Sequence, residues 1–240
     1  MFTSMNLFCG FYAIIASIDG KFVAAAVAII IAGVFDNLDG KIARATGTTS
    51  QFGIEYDSLA DLISFGLAPG LMIYMWALKP LGRIGWLAAF LFMVCGALRL
   101  ARFNTQVGTV NSDHFVGLPI PAAAGMNAVT VLIFHKLTIA GNAHAILVLI
   151  MLYILSFLMV SNIKYNSFKK PELFRKMNFN SLVLAILIFI FIASQPSIAL
   201  FLCGILYVFS GPVTTLKRYR HIKQKEAGKL KEKKNTSHLS

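Results

Sequence analysis

A chain of 240 residues has the length of one or two soluble domains, but 57% hydrophobic and only 13% charged residues, with a mean hydropathy of +0.72, exclude a soluble protein. Apolar runs recur along almost the whole length, the pattern of an all-α, polytopic helical membrane protein. The net charge of +12 is unevenly placed: residues 217–240 carry nine Lys/Arg against two Glu.

Eight membrane spans are predicted, roughly 3–18, 22–45, 54–77, 81–101, 118–137, 143–163, 179–194 and 197–216. The first has no basic stretch before it and no small-residue cleavage site after it, so it reads as a span and not as a cleaved signal. Asp19-Gly20 separates it from the second span, and Lys79-Pro80 with Gly82 separates the third from the fourth. Gly141-Asn142 parts the fifth and sixth, and Pro196 parts the last two, which form a tight hairpin. Longer polar connections run over 102–117 and 164–178. Cys9, Cys95 and Cys203 are far apart in apolar surroundings and read as small buried hydrophobes, with no metal or redox spacing.

Basic residues orient the spans. Placing 41–53, 99–117, 164–178 and the tail on one side puts 18 Lys/Arg there, against Lys21, Lys79, Arg83 and Lys136 on the other. By the positive-inside rule the first side, with both termini, is cytoplasmic. The tail then lies against the membrane surface, where anionic lipids attract each basic residue by about 1 kcal/mol. A solvated tail is the competing reading, and nucleic acid is not expected as a partner.

The stretch DNLDGKIARATGTTSQFGIEYDSLAD, at 36–61, holds five of the ten acidic residues in the chain. Asp36 and Asp39, spaced i, i+3, share a face at the cytoplasmic end of the second span. Asp57 and Asp61, spaced i, i+4, share a face at the start of the third. A short turn joins these antiparallel spans, so four carboxylates can converge. Gly40 and Gly53 flank that point and admit a close approach by a backbone or a ligand. Four such charges in a partly dehydrated site need protons or cations. Oxygen-only ligands suit Mg²⁺, Mn²⁺ or Ca²⁺, and four Asp suffice for two ions. Paired ions suit displacement at phosphorus, and Arg44 adds a fixed cation for phosphate. Helix caps explain Asp57 but not Asp36 and Asp39, which sit where the helix dipole disfavours them. A cation or solute transporter is the alternative of another class, but no later span carries an acid for a relay across the bilayer.

Written as Asp36-x2-Asp39-Gly40-x2-Ala43-Arg44-x8-Gly53-x3-Asp57-x3-Asp61, the cluster resembles the signature of the CDP-alcohol phosphotransferase family at all eight defined positions. The resemblance implies a six-helix core, a homodimer, two divalent cations (Mg²⁺ or Mn²⁺), and transfer of a phosphatidyl group from a CDP-linked lipid to an alcohol with release of CMP. By position, Asp36, Asp39 and Asp57 would hold metal. Asp61 would be the general base and also touch an ion. Asp39, Gly40, Ala43, Arg44 and Gly53 would line the CDP pocket. On this reading, 1–178 is the catalytic core, 179–216 a C-terminal hairpin without an assigned role, and 217–240 a basic cytoplasmic tail.

The segments at 6–14, 57–70, 96–104, 115–125 and 163–171 are similar to family members that take L-serine as acceptor. The implied products are phosphatidylserine and CMP. Glycerol 3-phosphate, inositol phosphate or choline are the alternative acceptors for the same chemistry. Arg99 and Arg102, at the cytoplasmic end of the fourth span, are candidates for the serine carboxylate or the diphosphate; headgroup anchoring is the other reading. Asn104 and Asn6 are polar groups near the same face and candidates to line the pocket, Asn104 for the acceptor or the diphosphate; a helix-capping or solvated role is the other reading of each. His135 and His144 fall at the opposite face and are read as interfacial.

Overall fold

The computed structural model describes residues 1–47, 50–106, 114–139, 141–166, 194–212 and 214. These fold into seven main helices: α1 (Phe2–Ile18), α2 (Phe22–Thr46), α3 (Gln51–Leu81), α4 (Arg83–Gln106), α5 (Ile120–Lys136), α6 (Ala145–Val160) and α7 (Pro196–Pro212). Each coincides with a predicted span. The predicted span at 179–194 falls almost wholly outside the described residues, and the basic tail falls outside them. Among the described residues, the β structure is one short antiparallel pair, β1 (His114–Val116) with β2 (Lys164–Asn166). It ties the connection before α5 to the end of α6.

Local chemistry sets the breaks. Gly20 and Gly82 take positive φ at the α1–α2 and α3–α4 turns. α2 ends on Gly47 in the left-handed conformation, and Ser50 opens α3 by accepting the Gly53 N–H at 3.0 Å. α3 is a single long helix with two π-helical stretches, Leu62–Leu67 and Tyr74–Leu78. The first runs up to Pro69, which has no N–H to offer the Phe65 carbonyl, and a shift to i→i+5 bonding absorbs that loss. This widened turn starts immediately after Asp61.

α2, α3 and α4 are long and apolar enough to cross a membrane, and α1, α6 and α7 are shorter apolar helices. Small residues bring them close. α1 and α2 meet through Ala13, Ala16, Ala25, Ala28 and Ala32, all buried. Gly10 lies directly on the α3 backbone: a Cβ there would stand 2.7 Å from Ser64 Cα. Phe65, Met72, Phe92, Ile120 and Leu152 fill the interior, whereas Phe8, Phe11, Ile150 and Phe157 face outward as side chains do against lipid. At the end away from the acidic cluster, Trp76 and His144 both pack edge-on to Phe134.

Candidate active site

Asp36 on α2 and Asp57 and Asp61 on α3 each bring a carboxylate oxygen within 4.8 Å of the others. The antiparallel α2–α3 hairpin makes this convergence, since the two acidic faces lie on either side of one short turn. Asp61 is buried, and Asn6, itself fully buried on α1, donates its Nδ2–H to Asp61 Oδ1 at 2.9 Å. Ser64 in turn donates to the Asn6 carbonyl at 3.0 Å. Two bonds therefore fix α1 against the turn of α3 that carries Asp61. Asp57 Oδ1 is buried and accepts no hydrogen bond from the described residues.

The fourth carboxylate is placed differently. Asp39 accepts a hydrogen bond from the Thr3 hydroxyl of α1 and stands outside the three-carboxylate group, although within electrostatic range of Asp57. Gly40 lines the same cavity as the cluster. Gly53 is exposed at the start of α3 and does not line it. Ala43 and Arg44 lie in the last turns of α2, but their side chains are outside the described residues.

α4 continues to Gln106, so Arg99, Arg102 and Asn104 are all helical, although 102–106 was expected to be a connection. Helical phase then separates them. Arg99, Leu100, Phe103 and Asn104 line the cavity. Arg102 points elsewhere and donates to Asn162 at 2.7 Å. Arg99 lies in electrostatic range of Asp61, Asp36 and Tyr207, and its Nε is buried with no hydrogen-bond partner among the described residues. Asn104 donates to Ser58 Oγ at 2.9 Å.

The cavity measures about 1100 Å³. Its polar end holds Asp36, Asp57, Asp61, Lys41, Arg99 and Asn104. Its other end is apolar, lined by Ile29, Ile30, Met126, Val129 and Leu200. Such a space suits a molecule with a charged head and a hydrocarbon body. Cys203, Gly204 and Tyr207 complete the wall from α7, and Cys203 is exposed where a buried side chain was expected. Thr3 and the α7 residues carry no sequence signal for this site, because contacts across distant helices place them.

Comparison with known proteins agrees with this geometry. A protein from Helicobacter pylori (strain ATCC 700392 / 26695), named CDP-diacylglycerol--serine O-phosphatidyltransferase, is 39% identical over 217 residues, 90% of each chain. One of the same name from Bacillus subtilis (strain 168) is 40% identical over 171 residues, 71% of this chain and 90% of its own. An archaetidylserine synthase from Methanothermobacter thermautotrophicus is 39% identical over 167 residues, 69% of this chain and 67% of its own. The family model described as CDP-alcohol phosphatidyltransferase matches residues 1–161, which takes in every helix that carries the acidic cluster and Arg99. This integral membrane protein therefore belongs to the CDP-alcohol phosphatidyltransferase family.

Proposed function

We propose that the chain transfers the phosphatidyl group of CDP-diacylglycerol to L-serine, giving phosphatidylserine and CMP. The observation that carries this reading is the convergence of Asp36, Asp57 and Asp61 at the polar end of a cavity whose other end is apolar. The names of the relatives that resemble the chain over most of its length support serine as the acceptor.

The bond between serine Oγ and phosphorus forms as the bond from phosphorus to the bridging oxygen of CMP breaks. The hydroxyl proton passes to Asp61. A serine hydroxyl is far too weak an acid to ionise unaided, so a base within hydrogen-bond reach is required. Asn6, bonded to one oxygen of Asp61, holds the carboxylate in orientation. Arg99 supplies a fixed cation for the diphosphate or the serine carboxylate. By the family signature, Asp39, Gly40, Ala43, Arg44 and Gly53 hold the CDP moiety.

The donor set fits hard divalent cations: its ligands are carboxylate oxygens, and the unpartnered Asp57 Oδ1 is available to one. Asp36, Asp57 and Asp61, with Asp39 beside them, would hold two Mg²⁺ or Mn²⁺ ions, which when bound neutralise charge on the phosphate oxygens and the departing CMP. The excess of basic residues at the same helix ends as the acidic cluster supports a site and both termini on the cytoplasmic face of the cell (inner) membrane, where serine is dissolved. The basic tail adds attraction to anionic lipids, and the chain assembles as a homodimer as its family does.

An acceptor panel tests the reading. Purified protein with CDP-diacylglycerol and Mn²⁺ or Mg²⁺ should release CMP with serine, and far more slowly with inositol phosphate, glycerol 3-phosphate or choline. Preference for another acceptor would displace serine. Cation flux into reconstituted vesicles without lipid turnover would displace the enzyme.

A further inference from the structure

The match to the family model ends at residue 161, yet the cavity at the acidic cluster is also lined by a helix beyond that point. α7 presents Leu200, Cys203, Gly204 and Tyr207 to it, the i, i+3, i+4, i+7 stripe of one helix face. Three helices line the cavity over the same depth. From the carboxylates inward, α2 contributes from Asp36 to Ile29, α5 from Ala122 to Val129, and α7 from Tyr207 to Leu200; outward, the lining continues to Lys41 on α2 and to Pro119 at the start of α5. Seven residues at 1.5 Å per residue make each of these walls about 10 Å long. Asp36 on α2 and Tyr207 on α7 head their walls near Arg99, the α5 wall is apolar throughout, and the far end holds Ile29, Val129 and Leu200. Gly204 lets α7 pack directly on α5, since a Cβ there would come to 3.0 Å from Met126 Sδ.

We infer that α7 is the wall of an acyl-chain subsite, and that Leu200 and Cys203 seat one hydrocarbon chain of the CDP-activated lipid against Ile29 and Val129. This rests on the phosphatidyl-transfer reading above. Continuity of the cavity selects the occupant: a molecule whose phosphorus sits at Asp36, Asp57 and Asp61 must carry its hydrocarbon into the adjoining apolar space. Serine, small and zwitterionic, has no use for that end. α7 thus sets how deep a chain can run before it leaves the protein for the bilayer.

The test uses the full-length protein. Leu200→Trp fills the deep end of the wall. It should raise the KM for dipalmitoyl CDP-diacylglycerol about tenfold by removing buried methylene contacts. The KM for the dihexanoyl lipid and for serine should stay within about twofold. Equal effects on both lipids, or none, would overturn the subsite. A second measurement does not depend on that variant: a wild-type protein irradiated with CDP-diacylglycerol bearing a mid-chain diazirine should be labelled between Leu200 and Tyr207. Label confined to other helices would overturn it as well. CMP release by the same sample separates the two readings. Labelled α7 without turnover defeats phosphatidyl transfer alone, and turnover without labelled α7 defeats the subsite alone.

Discussion

Asp61 is held on two sides: Asp36 and Asp57 bring carboxylate oxygens within 4.8 Å, and Asn6 donates to it from another helix. Like charges this close repel strongly unless a cation or proton intervenes, so its orientation depends on what binds there. Asn6→Ala should lower turnover by about 10- to 100-fold and weaken the dependence on divalent cation, since a group that orients a ligand typically carries that much. CMP release measured across a Mn²⁺ titration checks this, and an unchanged titration would remove Asn6 from the site. The three convergent carboxylates were legible in the spacing, because i, i+3 and i, i+4 place pairs on one helix face whatever lies around them. The direction taken by Asp39 was not, because Thr3, 36 residues earlier, draws it aside. Arg99 and Arg102 looked equivalent as sequence. Only the extension of α4 to Gln106 fixes the phase that turns one into the cavity and the other to Asn162.

At the scale of helices, the site depends on how closely α1 approaches α3. Gly10 permits that approach, and Asn6 one turn earlier reaches Asp61 because of it. Gly10→Val would press a branched three-carbon side chain into the Ser64 backbone and should destabilise the fold by about 1–3 kcal/mol. Gly33→Ala meets nothing nearer than Phe65 Cε1 at 3.9 Å and should leave the melting temperature in detergent nearly unchanged. Equal thermal stability of the two variants would contradict the tight crossing. Helix positions followed from the apolar runs, and Gly, Pro and Asp marked their ends. The π turn after Asp61 did not announce itself, since Pro69 in an apolar run reads equally well as a simple kink. The place of α7 was illegible for a different reason. An apolar helix has the same composition whether it faces lipid or closes a cavity, and its partners Met126 and Arg99 lie far back in the chain.

For the whole molecule, a charged centre at the membrane end of an otherwise apolar bundle lets one site draw lipid from the side and a polar acceptor from the water. The hydrophobic surface of α1 and α6 holds the bundle in the bilayer, and the cavity reaches the basic residues Lys41 and Arg99 near the helix ends. EDTA should abolish CMP release, with Mn²⁺ or Mg²⁺ restoring it; turnover that persists in EDTA would contradict a divalent-ion centre. Catalysis rests on the carboxylates themselves. The most direct measurement is CMP release from CDP-diacylglycerol and serine by Asp61→Asn beside the wild-type protein, both shown folded by their elution and melting in detergent. Loss of the base should cut the rate by about 10²- to 10⁴-fold. A rate within twofold of wild type would contradict the assignment of Asp61 and the site built around it.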